Sequence, residues 1–383
     1  MDVAVIGAAM TPFGQRSAWL DDLLATATVD CLADAGISTE TVDHLYVSNM
    51  ASGEFEGTTG VMNALAADIG VTPAYTQRVG QTSASGGAGL YAAWQSIASG
   101  ASEMTLLVGG EKMTHRSTGD SSDIIASLTH PVEYSHGVTL PSFAGLTARR
   151  YLDRFDVPRE SLAEVAVKNH GNALDNPDAQ FHKEIDTEDV LSSPVVADPL
   201  RLYDYCPVTD GSAALLFCPV PVAEEYTDEF VRLSGVAGAS DTHVVHEREE
   251  PTWMGAVAES GKQAFEMADC EPADIDIAEL HDMVTLLEPL QLEALGFADR
   301  GKGWQWAPEG RTAPSGELPV NTSGGLKARG HPLGATGVAQ AVEIYRQLLG
   351  EAGQRQVSAE RGLTCNVGGF GNCVTTAILE ADR

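Results

Sequence analysis

Lysine is scarce in this chain of 383 residues: six in all, within 23 basic residues set against 54 acidic ones. No basic stripe interrupts that balance, which excludes nucleic acid as a partner. Six cysteines (Cys31, Cys206, Cys218, Cys270, Cys365, Cys373) form neither a CxxC pair nor a zinc-ligand spacing. They read as reduced thiols of a cytoplasmic protein that holds no metal. No apolar run is long enough to span a membrane. The first residues, MDVAVIGAA, are strand-like and lack the charged start of a secretory leader. Neither G-x-G-x-x-G nor G-x-x-x-x-G-K-[ST] occurs, so a nucleotide-binding domain has no support.

What is present is acid and apolar mass. The formal charge of -31 is dispersed rather than held in a tail, and 43% of the residues are hydrophobic. That suffices for a large core, in one big domain or two fused ones. A dispersed, lysine-poor acidic surface suits solvation at high salt, where a Debye length of about 3 Å removes most self-repulsion. The expectation is a halophilic protein.

The chain repeats its order of events. Strands Val3–Ala9 and Val231–Ala239 open two halves, followed by helical stretches Asp22–Gly36 and Gly255–Ala268. Next come strand-like segments, Thr41–Ser48 and Asp274–His281. A small-residue loop then opens a helix in each half: Thr82–Gly87 before Ala88–Ala98, and Gly324–Gly337 before Val338–Leu349. Two strands close each half, Met104–Gly109 with Ala213–Pro219 and Gly362–Val367 with Cys373–Leu379. Alternating strands and helices predict α/β architecture, with two sheets meeting at a pseudo-twofold axis. The expected halves are residues 1–222 and 223–383. The first carries an insertion, 110–210, long enough to act as a lid or substrate-covering domain.

Ser83 and His331 occupy equivalent loops, each at the start of a helix. Under the pseudo-twofold, the two helix N-termini converge, and their free N–H groups suit a developing anion. By type alone, a serine before a helix is an N-cap. Ser85, two residues on, is the expected cap.

These strings, SASGG at 83–87, VGGEKM at 108–113, VKNH at 167–170, DGSAA at 210–214, His281-Asp282, GHPLGATG at 330–337 and NVGGFG at 366–371, resemble the thiolase superfamily over nearly the whole chain. His281-Asp282 gives the closest likeness to archaeal and sterol-carrier-protein-type thiolases. The resemblance implies a five-layered αβαβα fold from two duplicated βαβαβαββ halves, as a homodimer or dimer of dimers. It implies acyl-CoA C-acyltransferase activity, by Claisen condensation or by thiolysis of a 3-ketoacyl-CoA, in acyl-lipid, isoprenoid or polyhydroxyalkanoate supply. Coenzyme A is then substrate, with no other cofactor. An accessory subunit with an OB-fold and zinc ribbon is implied as a partner.

The departures define the chemistry. The family nucleophile is Cys, and here Ser83 stands in its place. The family's acid/base Cys position holds Asn366, beside Cys365, and Met283 follows His281-Asp282. Serine must be deprotonated as it attacks, so it needs an adjacent base. The resemblance offers His331 for that, with His281 handling the α-proton and polarising the thioester carbonyl; the two histidines can also exchange these roles. Backbone N–H groups of Ser83 and Gly368 are the implied oxyanion hole, each donor worth about 3–4 kcal/mol. Asn366 cannot titrate, and a one-residue shift of strand register brings Cys365 to the pocket instead. Lys327 and Arg329 are candidates for the CoA phosphates, as is the pair Arg149/Arg150. Two alternatives stay open: an acyl-CoA hydrolase in which water intercepts the same acyl-Ser83, and a non-catalytic scaffold subunit.

Overall fold

Unbroken apolar runs become strands buried on both faces, as all eight residues of β1 (Val3–Met10) are. The computed structural model describes residues 1–382. The other strands are β2 (His44–Ser48), β3 (Tyr75–Val79), β4 (Thr105–Glu111), β5 (Val195–Ala197), β6 (Leu200–Arg201), β7 (Gly211–Pro219), β8 (Phe230–Ser240), β9 (Ile277–Glu279), β10 (Arg361–Gly368) and β11 (Cys373–Asp382).

The duplication is explicit in the pairing. The first half orders its strands β3-β2-β4-β7-β1, the second β9-β10-β11-β8. In each half a parallel pair (β2 with β4, β9 with β10) is followed by antiparallel neighbours. The counterpart of β3 shrinks to one bridge, Ala278 with Val320. The two sheets meet through their first strands. β1 and β8 pair antiparallel at Ala4–Arg232 and Val5–Val231, so both halves form one nine-stranded sheet. Each would otherwise leave an open edge of unpaired N–H and C=O groups.

Helices Ser85–Ala98 and Thr336–Leu349 lie between the half-sheets, touching strands of both and each other. Helix Leu20–Asp34 covers the outside of β1, β4 and β7, and helix Gly255–Ala268 covers β8 and β11. The result is the five-layered αβαβα arrangement. Helix Thr336–Leu349 is buried nearly all round, and its polar residues are satisfied inside: Gln340 reaches the carbonyls of Glu279 and Cys365, and Glu343 pairs with Arg355 at 2.8 Å. The periodic pattern missed β3, whose sequence YTQRV is polar and half exposed, and helix Val61–Ile69.

The segment from β4 to β7 leaves this core as five helices and the β5–β6 hairpin. It is pinned at its root by the buried ion pair Lys112–Asp210 at 2.7 Å. Asp210 also accepts the N–H groups of Met113 and Thr114, so the two ends of the excursion are tied together.

Candidate active site

Close backbone approach of the two inner helices builds the site. A Cβ on Gly86 would stand 2.7 Å from the Gly337 nitrogen, and one on Gly337 2.3 Å from the Gly87 nitrogen. Only glycine allows that crossing. It delivers the two loops, and with them Ser83 and His331, to one place.

His281 and His331 meet edge to face, ring centroids 5.0 Å apart. Both are buried, and both Nε2 atoms lack a hydrogen-bond partner. Buried polar atoms are normally paired, so two orphans side by side mark the place of a ligand. His331 and Ser83 line one cavity of about 500 Å³ with mostly apolar walls. The insertion supplies most of that wall, including Ile125, Leu140, Ala144, Val196, Tyr205 and Cys206. Ser83 is 2% exposed, and its hydroxyl forms no hydrogen bond among the described residues.

The network orients both rings and sets the tautomer of His281. The Thr336 hydroxyl donates to the Pro332 carbonyl at 2.9 Å. In the tautomer that makes His331 a base, that hydroxyl accepts from His331 Nδ1–H at 2.6 Å and leaves Nε2 a bare lone pair. The Asn366 amide is oriented by two backbone groups: Oδ1 accepts from Gly87 N–H at 2.9 Å, and Nδ2 donates to the Ser83 carbonyl at 3.3 Å. The second Nδ2 hydrogen then points at His281 Nδ1, 3.1 Å away, so His281 carries its proton on Nε2. One imidazole is a base and the other a donor. Burial, with His331 beside it, holds His281 well below the usual histidine range. Burial and the Arg329 charge hold His331 down to about 3. Both rings are neutral at ordinary pH, as these tautomers require.

The backbone under each ring is braced. His331 N–H donates to Thr209 Oγ1, and the Gln291 amide clamps the N–H and C=O of His281, all at 3.0 Å. Asp282 accepts from Leu326 N–H and Asn169, and Glu111 accepts from Gly334 N–H, so conserving the shape of the 324–334 loop falls to two buried carboxylates.

Other expectations resolve differently. Ser85 does not cap its helix; it is the first helical residue, and its hydroxyl ties the Gln81 N–H and Thr82 carbonyl of the loop. Gly368 ends β10 against Thr82 and Cys373, next to the Ser83 loop. Cys365 lies in the core on the other face of β10 from Asn366, as strand alternation requires. Lys327 and Arg329 cannot meet a phosphate at the surface. Lys327 is 2% exposed, with His170 Nε2 at 3.4 Å, and Arg329 is fully buried on Glu279 at 3.4 Å. Arg149 is exposed and paired with Asp198. Sequence reasoning missed Thr336 and Thr209. Thr336, at the first turn of the helix that follows His331, was the readable signal of a hydroxyl near that ring.

Residues 3–220 match the family model described as the thiolase N-terminal domain, and residues 237–381 the thiolase C-terminal domain-like model. The chain is 42% identical to the acetyl-CoA acetyltransferase of Methanothermobacter thermautotrophicus over 383 residues, 99% of each chain. It is 38% identical to that of Methanocaldococcus jannaschii over all of both chains. Among solved structures, the Ltp2-ChsH2(DUF35) aldolase superposes with a TM-score of 0.86 at 27% identity, covering 100% of this chain and 98% of that one.

Proposed function

The chain belongs to the thiolase family, and from that premise we propose an acyl-CoA C-acyltransferase that works through an acyl-Ser83 intermediate. The observation that carries this reading is the pair of buried, unpartnered histidine Nε2 atoms beside Ser83. His331 Nε2 takes the hydroxyl proton as Ser83 Oγ attacks the thioester carbonyl. His281 Nε2–H, with backbone N–H groups, donates to the oxyanion. The CoA thiolate leaves and acyl-Ser83 remains. The carbanion of a second acyl-CoA, its enolate oxygen held by the same His281 donor, attacks the acyl carbonyl. Ser83 departs with the proton that His331 returns. The network thus supports His331 as the base for serine and His281 as the polarising group rather than as the α-proton base.

The apolar cavity fits a short or medium acyl chain. No Lys or Arg lines it, which supports a partner that supplies the phosphate contacts. A subunit of OB-fold and zinc-ribbon type answers that need, and the neighbour paired with ChsH2(DUF35) favours it. A homodimer, a cytoplasmic location and adaptation to high salt complete the reading; six free thiols and the charge of -31 support the last two. No helix among the described residues is long and apolar enough to cross a membrane.

Two observations favour a second reading, carbon–carbon cleavage without an acyl-enzyme. Ser83 makes no hydrogen bond to either histidine at rest, and the neighbour at 27% identity is an aldolase. Intact mass after mixing with acetoacetyl-CoA in molar KCl separates the two. An acetyl adduct on Ser83, discharged by CoA and absent in Ser83→Ala, supports the transferase. Turnover that persists in Ser83→Ala supports the aldol reading. CoA release to water without condensation supports the hydrolase.

A further inference from the structure

Besides the Ser83 proton, the proposed reaction moves two others: one to the departing CoA thiolate and one from C2 of the second acyl-CoA. His331 holds the Ser83 proton until the second half-reaction returns it. In that case a further group gives a proton to the departing CoA thiolate and then takes the α-proton of the second acyl-CoA. Asn366 and Met283 do not titrate, Cys365 faces the core, and His281 already carries its proton on the unpartnered Nε2. Among the cavity-lining residues, two titratable groups remain beside His331. Tyr205 donates its hydroxyl to the Pro141 carbonyl at 3.2 Å, and burial raises its pKa. The other is Cys206.

Cys206 comes from the insertion, and its N–H donates to the Met283 carbonyl at 3.0 Å. The neighbouring pair, Tyr205 and Val284, forms an antiparallel bridge. The thiol therefore shares a wall with Met283, Ser83 and the unpartnered His331 Nε2. We propose that Cys206 is the acid/base residue that exchanges protons with the CoA thiolate and with C2 of the second acyl-CoA. The inference rests on the acyl-Ser83 reading for the order of steps.

The steps balance. The Cys206 S–H bond breaks as CoA–S⁻ becomes CoA–SH. The resulting Cys206 thiolate takes the C2 proton, the C2 electron pair forms the new C–C bond, and the Ser83–acyl bond breaks. His331 gives its proton to Ser83 Oγ, and all three side chains return to their starting forms. Burial pushes the resting thiol up to about 12, so it begins as the acid. The Lys327 ammonium favours the Cys206 thiolate, and the Asp282 carboxylate opposes it.

The test compares wild type, Cys206→Ser and Ser83→Ala in molar KCl. Acylation of Ser83 is read by intact mass, and acetyl-CoA α-proton exchange by mass shift in D₂O. In Cys206→Ser acylation should slow, because the CoA thiolate leaves without its acid, yet the Ser83 adduct should still reach wild-type occupancy, which also shows that the variant folds. Exchange and condensation should fall at least about 100-fold, the lower range for general acid–base catalysis. Exchange within threefold of wild type in Cys206→Ser overturns the proposal. Wild-type exchange that needs Cys206 but forms no serine adduct sinks the acyl-Ser83 reading and leaves Cys206 as the C2 proton carrier.

Discussion

Thr336→Val replaces a hydroxyl with a methyl of nearly the same shape, so packing at the head of helix Thr336–Leu349 survives. What goes is the acceptor for His331 Nδ1–H, 2.6 Å away, and the donor to the Pro332 carbonyl. A buried N–H left unpaired costs about 1–3 kcal/mol. His331 escapes that cost by moving its proton to Nε2, the atom that must accept from Ser83. The base-competent tautomer then falls by about 5–150-fold, the Boltzmann factor of that same penalty. Single-turnover acylation of Ser83 should slow by that factor, while global stability drops by only about 1 kcal/mol for the lost hydrogen bond. Thr336→Ser keeps the hydroxyl and should acylate near the wild-type rate. Wild-type acylation in Thr336→Val, or equal losses in the Val and Ser variants, would refute the tautomer argument.

Three further outcomes follow from the same contacts. Because His331 is held down to about 3 and His281 well below its usual range, kcat/KM for acylation should show no inflection near pH 6.5; a histidine-type acid limb there contradicts the assigned protonation. Arg329→Ala leaves the Glu279 carboxylate buried without its partner and should cost about 3–5 kcal/mol in denaturant unfolding, with Arg329→Met/Glu279→Leu recovering much of it. With a charge of -31, Tm should rise between 0.01 M and 1 M KCl as the Debye length falls from about 30 to about 3 Å; a flat profile removes the halophilic reading.

The residue string alone determined a good deal. Apolar runs fixed the buried strands, because a strand covered on both faces tolerates little else. The two small-residue loops, at equivalent places in the repeat, were legible as a point of convergence; that Gly86 and Gly337 leave no room for a Cβ came from the fold. Ser83, His281 and His331 were nameable from their strings. Tertiary structure decided the rest, because the remaining questions concern residues far apart in the chain. Lys327 and Arg329 looked like surface cations only until their partners, His170 and Glu279, were in place. The edge strand β3 carries no apolar alternation because one side of it meets no core. The choice between Asn366 and Cys365 turned on which face of β10 meets helix Ser85–Ala98. The protonation of each imidazole depended on Thr336 and Asn366, because a tautomer is set by the hydrogen bond at the opposite nitrogen, and that partner is placed by the fold.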